Sequence, residues 1–129
     1  MITRRITEAI ENRLFKGKAI LIFGPRQSGK STLVESILQD KEHLYLNGDD
    51  ADVRDILTNT TAAKLKAIIG KNKILFIDEA QRIPNIGLTL KLFTDQIKDV
   101  QVIATGSSAF ELSSYLYKDL LMLEQVKSR

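Results

Sequence analysis

Between Phe23 and Thr32 the chain reads FGPRQSGKST, with Gly24, Gly29, Lys30 and Ser31 in the fixed places of G-x-x-x-x-G-K-[ST]. Two glycines let a backbone curl tightly enough to aim successive N–H groups at phosphate oxygens. Lys30 then sets a cation against the outer phosphates, and Ser31 offers its hydroxyl to Mg²⁺. A helix starting here turns the positive end of its dipole toward the same anion. The run Gly24, Pro25, Arg26, Gln27, Ser28, Gly29, Lys30, Ser31 and Thr32 is therefore the expected phosphate-binding loop. A glycine-rich turn that binds nothing is the plainer alternative, and the flanking elements argue against it.

A second group with chemical potential closes the apolar run Ile74-Leu75-Phe76-Ile77, which ends in Asp78-Glu79. A carboxylate at the C-terminal end of a parallel strand faces the crevice where ligands of open α/β sheets bind. Asp78 is placed to hold Mg²⁺ through its water shell. Glu79 beside it is placed to orient and activate an attacking water. Alone, such a pair would be read as a helix cap; the loop upstream makes the paired reading the better one. A third group, Thr105-Gly106-Ser107-Ser108, follows Val100–Ala104. Ser107 is preferred over Thr105 as a hydroxyl beside the γ-phosphate, if this strand lies between the loop strand and the acidic one.

These side chains need elements to carry them. Ala19-Ile20-Leu21-Ile22-Phe23 reads as a buried strand, and Leu33, Val34, Ile37 and Leu38 recur at helical spacing after the loop. Ahead of them, Ile6, Ala9, Ile10 and Leu14 form the stripe of a helix over Thr3–Phe15, with Gly17 as its stop. Arg4 and Arg5 on it are read as surface arginines, with an approach to the nucleotide base as the lesser reading. His43–Asn47 reads as a short strand, and the lone histidine, His43, is structural. In the turn Gly48-Asp49-Asp50 the aspartates can cap a helix over Ala51–Leu57. Thr60 or Thr61 can cap another over Ala62–Ile69, which Gly70 closes. A helix over Ile86–Ile97 would face Leu88, Leu92 and Phe93 to the core. Alternating strands and helices imply a parallel sheet with right-handed crossovers.

Composition excludes several classes. A chain of 129 residues, 43% hydrophobic and 27% charged, is one globular domain. No apolar stretch has the length a membrane span requires. The N-terminus has no secretory h-region, and Glu8 and Glu11 break the pattern of a transit peptide. Zero cysteines exclude disulfides, thiolate metal sites and cysteine nucleophiles, and agree with a cytoplasmic location. The net charge of +3 is mild. Lysines 64, 66, 71 and 73 read as a solvated helix face, so contact with nucleic acid is open but unsupported.

Taken together, GPRQSGKST, ILFIDEAQRIPNI and VIATGSSAFELS resemble a prokaryotic AAA-type ATPase family. Its members pair an N-terminal AAA domain with a C-terminal domain of unknown function. The resemblance covers Thr3 to Ser113, with three motifs in the family's order. It implies a P-loop NTPase sheet in which the Ser107 strand flanks the loop strand and the acidic strand lies next outward. It implies ATP and Mg²⁺ as ligands, Gly24, Gly29, Lys30, Ser31 and Thr32 as the nucleotide loop, and Ser31 and Asp78 as metal residues. It also implies Lys30, Glu79 and Ser107 as the catalytic set. Gln81, Arg82 and Pro84 match the family stretch without an assigned role.

The resemblance breaks after Ser113. Family members continue with a Thr-Gly-Arg stretch, a fifth core strand and the C-terminal domain, whereas here YLYKDLLMLEQVKSR follows directly. That run resembles a stretch found inside the C-terminal domain. The expectation is a shortened or internally deleted member, with residues 1–113 as the nucleotide-binding domain. Its α/β fold would have about four parallel strands sandwiched by helices, without the fifth core strand. Residues 114–129 are expected as an amphipathic helix, from Tyr115, Leu116, Asp119, Leu120, Leu123 and Val126, with Leu121 and Met122 widening its apolar face. That helix would cover the sheet or leave a patch favouring self-association. No arginine finger is carried over. An ATPase is the first functional reading. A non-catalytic nucleotide-binding or interaction module is the second, and a small P-loop kinase the third. The kinase lacks the arginine-bearing lid it would need between Asn85 and Gln101.

Overall fold

The structure, a computed structural model, describes residues 2–23, 29–106 and 120–124. In chain order the elements are α1 (Ile2–Arg13), β1 (Ala19–Phe23), α2 (Lys30–Leu38), β2 (Leu44–Asn47), α3 (Ala51–Leu57) and α4 (Ala62–Ile69). There follow β3 (Ile74–Asp78), a 3₁₀ turn (Ala80–Arg82), α5 (Ile86–Gln96), β4 (Gln101–Gly106) and β5 (Leu120–Glu124). The strands form one sheet of five in the order β2-β3-β4-β1-β5. Every pairing is parallel.

Successive residues of a strand point to opposite faces, and the two cores follow that alternation. On one face Leu21, Leu75, Ile77, Val102 and Ala104 meet Val53, Leu57, Leu65, Ile86, Leu90 and Phe93 from α3, α4 and α5. On the other, Ile20, Ile22, Ile74, Phe76 and Ile103 meet Ile10 of α1 and Leu33, Val34, Ile37 and Leu38 of α2. Burial on both faces explains why β1 and β3 read as unbroken apolar runs. The expected caps form as well. Asp50 accepts from the Asp52 N–H, and Thr61, rather than Thr60, accepts from the Lys64 N–H.

Two expectations require correction. Leu120–Glu124 is not helical; it is a strand, paired residue for residue with β1 from Ala19↔Leu120 to Phe23↔Glu124. The sheet therefore has a fifth strand, and the expected four-stranded sheet without it does not hold. The cause lies in β1, which is apolar on both faces. Left unpaired on that side, its backbone would present an open row of donors and acceptors. The rest of the expected helix, residues 114–119 and 125–129, lies outside the described residues. The second correction concerns Leu88, which is 54% exposed, whereas Leu90 is buried. The buried positions Ile86, Thr89, Leu90 and Phe93 keep the three-four spacing of one helix face, and Leu88 falls outside it.

One buried polar side chain sets the base of the sheet. Gln101, at the start of β4, accepts from the Phe15 N–H at 2.6 Å and donates to the Lys18 carbonyl at 2.9 Å. It thereby pins the connection between α1 and the strand that leads to the loop.

Candidate functional site

The site gathers at the C-terminal ends of β1, β4 and β3, which lie side by side in that order. Gly29 adopts a left-handed conformation, φ 87°, and caps α2, which begins at Lys30. Glycine takes that conformation without the steric cost other residues incur. Lys30 is buried, only 5% exposed. Residues 24–28, and with them Gly24, Pro25, Arg26, Gln27 and Ser28, lie outside the described residues, as does Ser107.

Asp78 is the centre of the arrangement. Its Oδ2 accepts from Ser31 Oγ at 2.7 Å and from the Tyr45 hydroxyl at 2.9 Å. Its Oδ1 accepts from Thr105 Oγ1 at 2.6 Å and from the Glu79 N–H at 3.0 Å. Burial pushes the Asp78 carboxyl upward, but the hydrogen bonds from Thr105, Ser31, Tyr45 and the Glu79 N–H outweigh it. The group is held below its ordinary value and is a carboxylate at neutral pH. For Tyr45, burial followed by the hydrogen bond and charge of Asp78 pushes the phenol far up, so it remains a donor.

Glu79 follows at φ 50°, a left-handed conformation uncommon for a residue with a side chain. Such strain is held at sites where the surrounding structure over-determines it. Here the surroundings can be named. Gln81 Nε2 donates to Glu79 Oε1 at 2.8 Å. The Gly48 N–H donates to the Asp78 carbonyl at 2.7 Å, and a Cβ on Gly48 would overlap the Glu79 carbonyl oxygen. Arg54 donates to the carbonyls of Gly48 and Asp49, both at 2.9 Å, and Arg82 reaches Asp49 Oδ1 at 3.3 Å. Gln81 and Arg82 thus acquire roles as supports of the Asp78-Glu79 corner.

Several expected residues therefore meet. Lys30, Ser31, Asp78 and Glu79 occupy one end of the sheet, and Thr105 gives its hydroxyl to Asp78. Arg4 and Arg5 are exposed on α1, and Arg4 pairs with Glu8 at 3.7 Å. His43 bonds the Lys41 carbonyl at 2.8 Å, as befits a structural histidine. Sequence reasoning missed Tyr45 and the packing role of Gly48, because both depend on the β2–β3 register Asn47↔Asp78.

The donor set fits a magnesium ion. A hydroxyl and a carboxylate joined at 2.7 Å supply hard oxygen atoms. Mg²⁺ in nucleotide sites takes one or two such carboxylates and completes its shell with phosphate and water.

The AAA domain family matches residues 16–121, from the base of β1 into β5. The chain belongs to that family. The chain also resembles curated proteins. An uncharacterised protein of Mycobacterium tuberculosis is 26% identical over 114 residues, 87% of this chain and 25% of that protein. The replication factor C large subunit of Methanococcus vannielii is 35% identical over 68 residues, covering 50% of this chain and 14% of the subunit. The chain thus spans a quarter or less of the length of these curated relatives. Among solved structures, NtrX from Brucella abortus in complex with ATP superposes with a TM-score of 0.64 at 17% identity. That match covers 98% of this chain and 35% of NtrX, and it shows a shared fold. Among the described residues, no helix is long and apolar enough to cross a membrane.

Proposed function

We propose that this AAA domain binds Mg²⁺-ATP at the loop of residues 24–32 and hydrolyses it to ADP and phosphate. The observation that carries the reading is the Ser31 Oγ to Asp78 Oδ2 hydrogen bond at 2.7 Å. It joins the loop to the acidic strand across β4, as a shared phosphate–metal site requires. ATP is the nucleotide that the family resemblance implies, and NtrX, of the same fold, was solved with ATP.

In this reading Lys30 lies against the β- and γ-phosphates, and the N–H groups at the start of α2 face the same oxygens. Bound Mg²⁺ supplies charge neutralisation on those phosphates, with Ser31 and Asp78 as the residues that would hold it. Glu79, fixed by Gln81, accepts a proton from the attacking water and directs it along the γ-phosphorus axis. Charge that builds on the phosphoryl oxygens meets Lys30 and the backbone N–H groups, which need not reorganise. Ser107 is assigned the γ-phosphate contact from its place one residue beyond β4.

The test is a thermal melt with and without Mg²⁺-ATP, paired with a turnover assay. Ligand at about a hundredfold over its dissociation constant adds roughly 2.7 kcal/mol to the native state. Wild type and Glu79→Gln should both show that shift, Lys30→Ala should lose it, and Glu79→Gln should lose turnover. A Glu79→Gln variant hydrolysing ATP at the wild-type rate removes Glu79 from its role. A wild type that binds but never turns over leaves a nucleotide-binding module.

A further inference from the structure

Asp78 receives four hydrogen bonds, and a carboxylate offers about four lone-pair positions. Any water of a magnesium shell that donates to Asp78 must therefore take a position already filled. The four donors differ in how readily they yield. The Glu79 N–H is backbone, fixed by the corner it belongs to. Thr105 is wholly buried, so its hydroxyl would be stranded without Asp78. Ser31 can offer a lone pair to a metal while its proton stays on Asp78. Tyr45 stands apart. It lies on β2, the edge strand, is 40% exposed, and its ring meets Phe76 edge-on at 5.2 Å. It is the most exposed of the four donor residues, and so the one that yields Asp78 most readily.

We infer that Tyr45 is a positioning residue that competes with the magnesium water shell for one acceptor position on Asp78, and so sets the Mg²⁺ concentration the site requires. The inference rests on the nucleotide-binding reading above and adds a residue to it. Tyr45 keeps the carboxylate aligned and its charge shared until metal and nucleotide arrive together, and then yields its place. Its removal should free the lone pair and leave the carboxylate a stronger acceptor for metal-bound water.

The experiment titrates Mg²⁺ at fixed ATP on the full chain and follows the thermal midpoint, with a fluorescent ATP analogue as a second binding readout. Tyr45→Phe keeps the ring and its contact with Phe76. It should lower the half-saturating Mg²⁺ concentration on the order of fivefold, the effect of one competing hydrogen bond. Its metal-free melt should stay cooperative. Tyr45→Leu removes the same hydroxyl and should move the Mg²⁺ requirement in the same direction, which guards against a defect peculiar to one variant. A requirement that is unchanged or raised in the variants, beside a responsive wild type, overturns the role of Tyr45 alone. A wild type whose nucleotide binding ignores Mg²⁺ overturns both this role and the metal site beneath it.

Discussion

At the scale of single residues, the site is built around one carboxylate whose charge the fold protects. Asp78 has a folded pKa below its unfolded one, so its contribution to stability is present above the unfolded value and lost as pH falls through the folded one. Asn cannot accept at both terminal atoms, so Asp78→Asn should be the less stable protein at pH 7. The gap in urea midpoint between the two should then close as pH drops below about 4, near the ordinary carboxylate range. A gap that stays constant to acid pH would mean that the four donors do not favour the ionised form. Asp78 and Ser31 were legible in the sequence because each sits at a fixed offset in a short motif. Thr105 was only the second choice in its segment. Its bond to Asp78 depends on how far β4 extends beyond Ala104, and apolar patterning does not fix that length. Tyr45 carries no motif at all, and only the pairing of β2 with β3 brings its hydroxyl to the acid.

At the scale of elements, the turn after β2 does more than cap α3. Gly48 lies so close to the Glu79 carbonyl that any side chain must push the corner aside. Gly48→Ala should therefore destabilise the protein by about 1–3 kcal/mol, as overpacking does. It should also weaken nucleotide binding by displacing Asp78 and Glu79, and chemical denaturation with a nucleotide titration would test both effects. A stable variant with normal binding would show that the corner has slack. Local rules were legible here where they are local. The Asp50 and Thr61 caps, the Gly70 stop and the strands β1, β3 and β4 were all read from spacing. The fifth strand was not. Leu120-Leu121-Met122-Leu123 is a short apolar run that fits a buried strand or one face of a helix, and leucine and methionine favour helix intrinsically. What decides between them is the open side of β1, a partner far away in sequence.

At the scale of the whole molecule, β1 is the strand on which the rest depends. It carries the phosphate loop at its end, packs on both cores, and is paired along one side by β4 and along the other by β5. Removing residues 114–129 strips that second side. The shortened protein should melt less cooperatively or associate through the bared strand, seen as a concentration-dependent rise in sedimentation coefficient. A monomeric fragment with an unchanged melt would show that β1 does not need its neighbour.

The pairing of β1 with β5 also has a temporal side. The strand bearing the loop leaves the ribosome before its neighbour, which follows about a hundred residues later, roughly 5–20 s at ordinary rates of synthesis. β4, which pairs on the opposite side, follows β1 by about eighty residues. Until β4 is made, the nascent chain therefore holds its most apolar strand with neither neighbour available. Its window for misassociation is set by the order of translation, and hence by elongation rate and chaperone supply, more than by the stability of the finished fold.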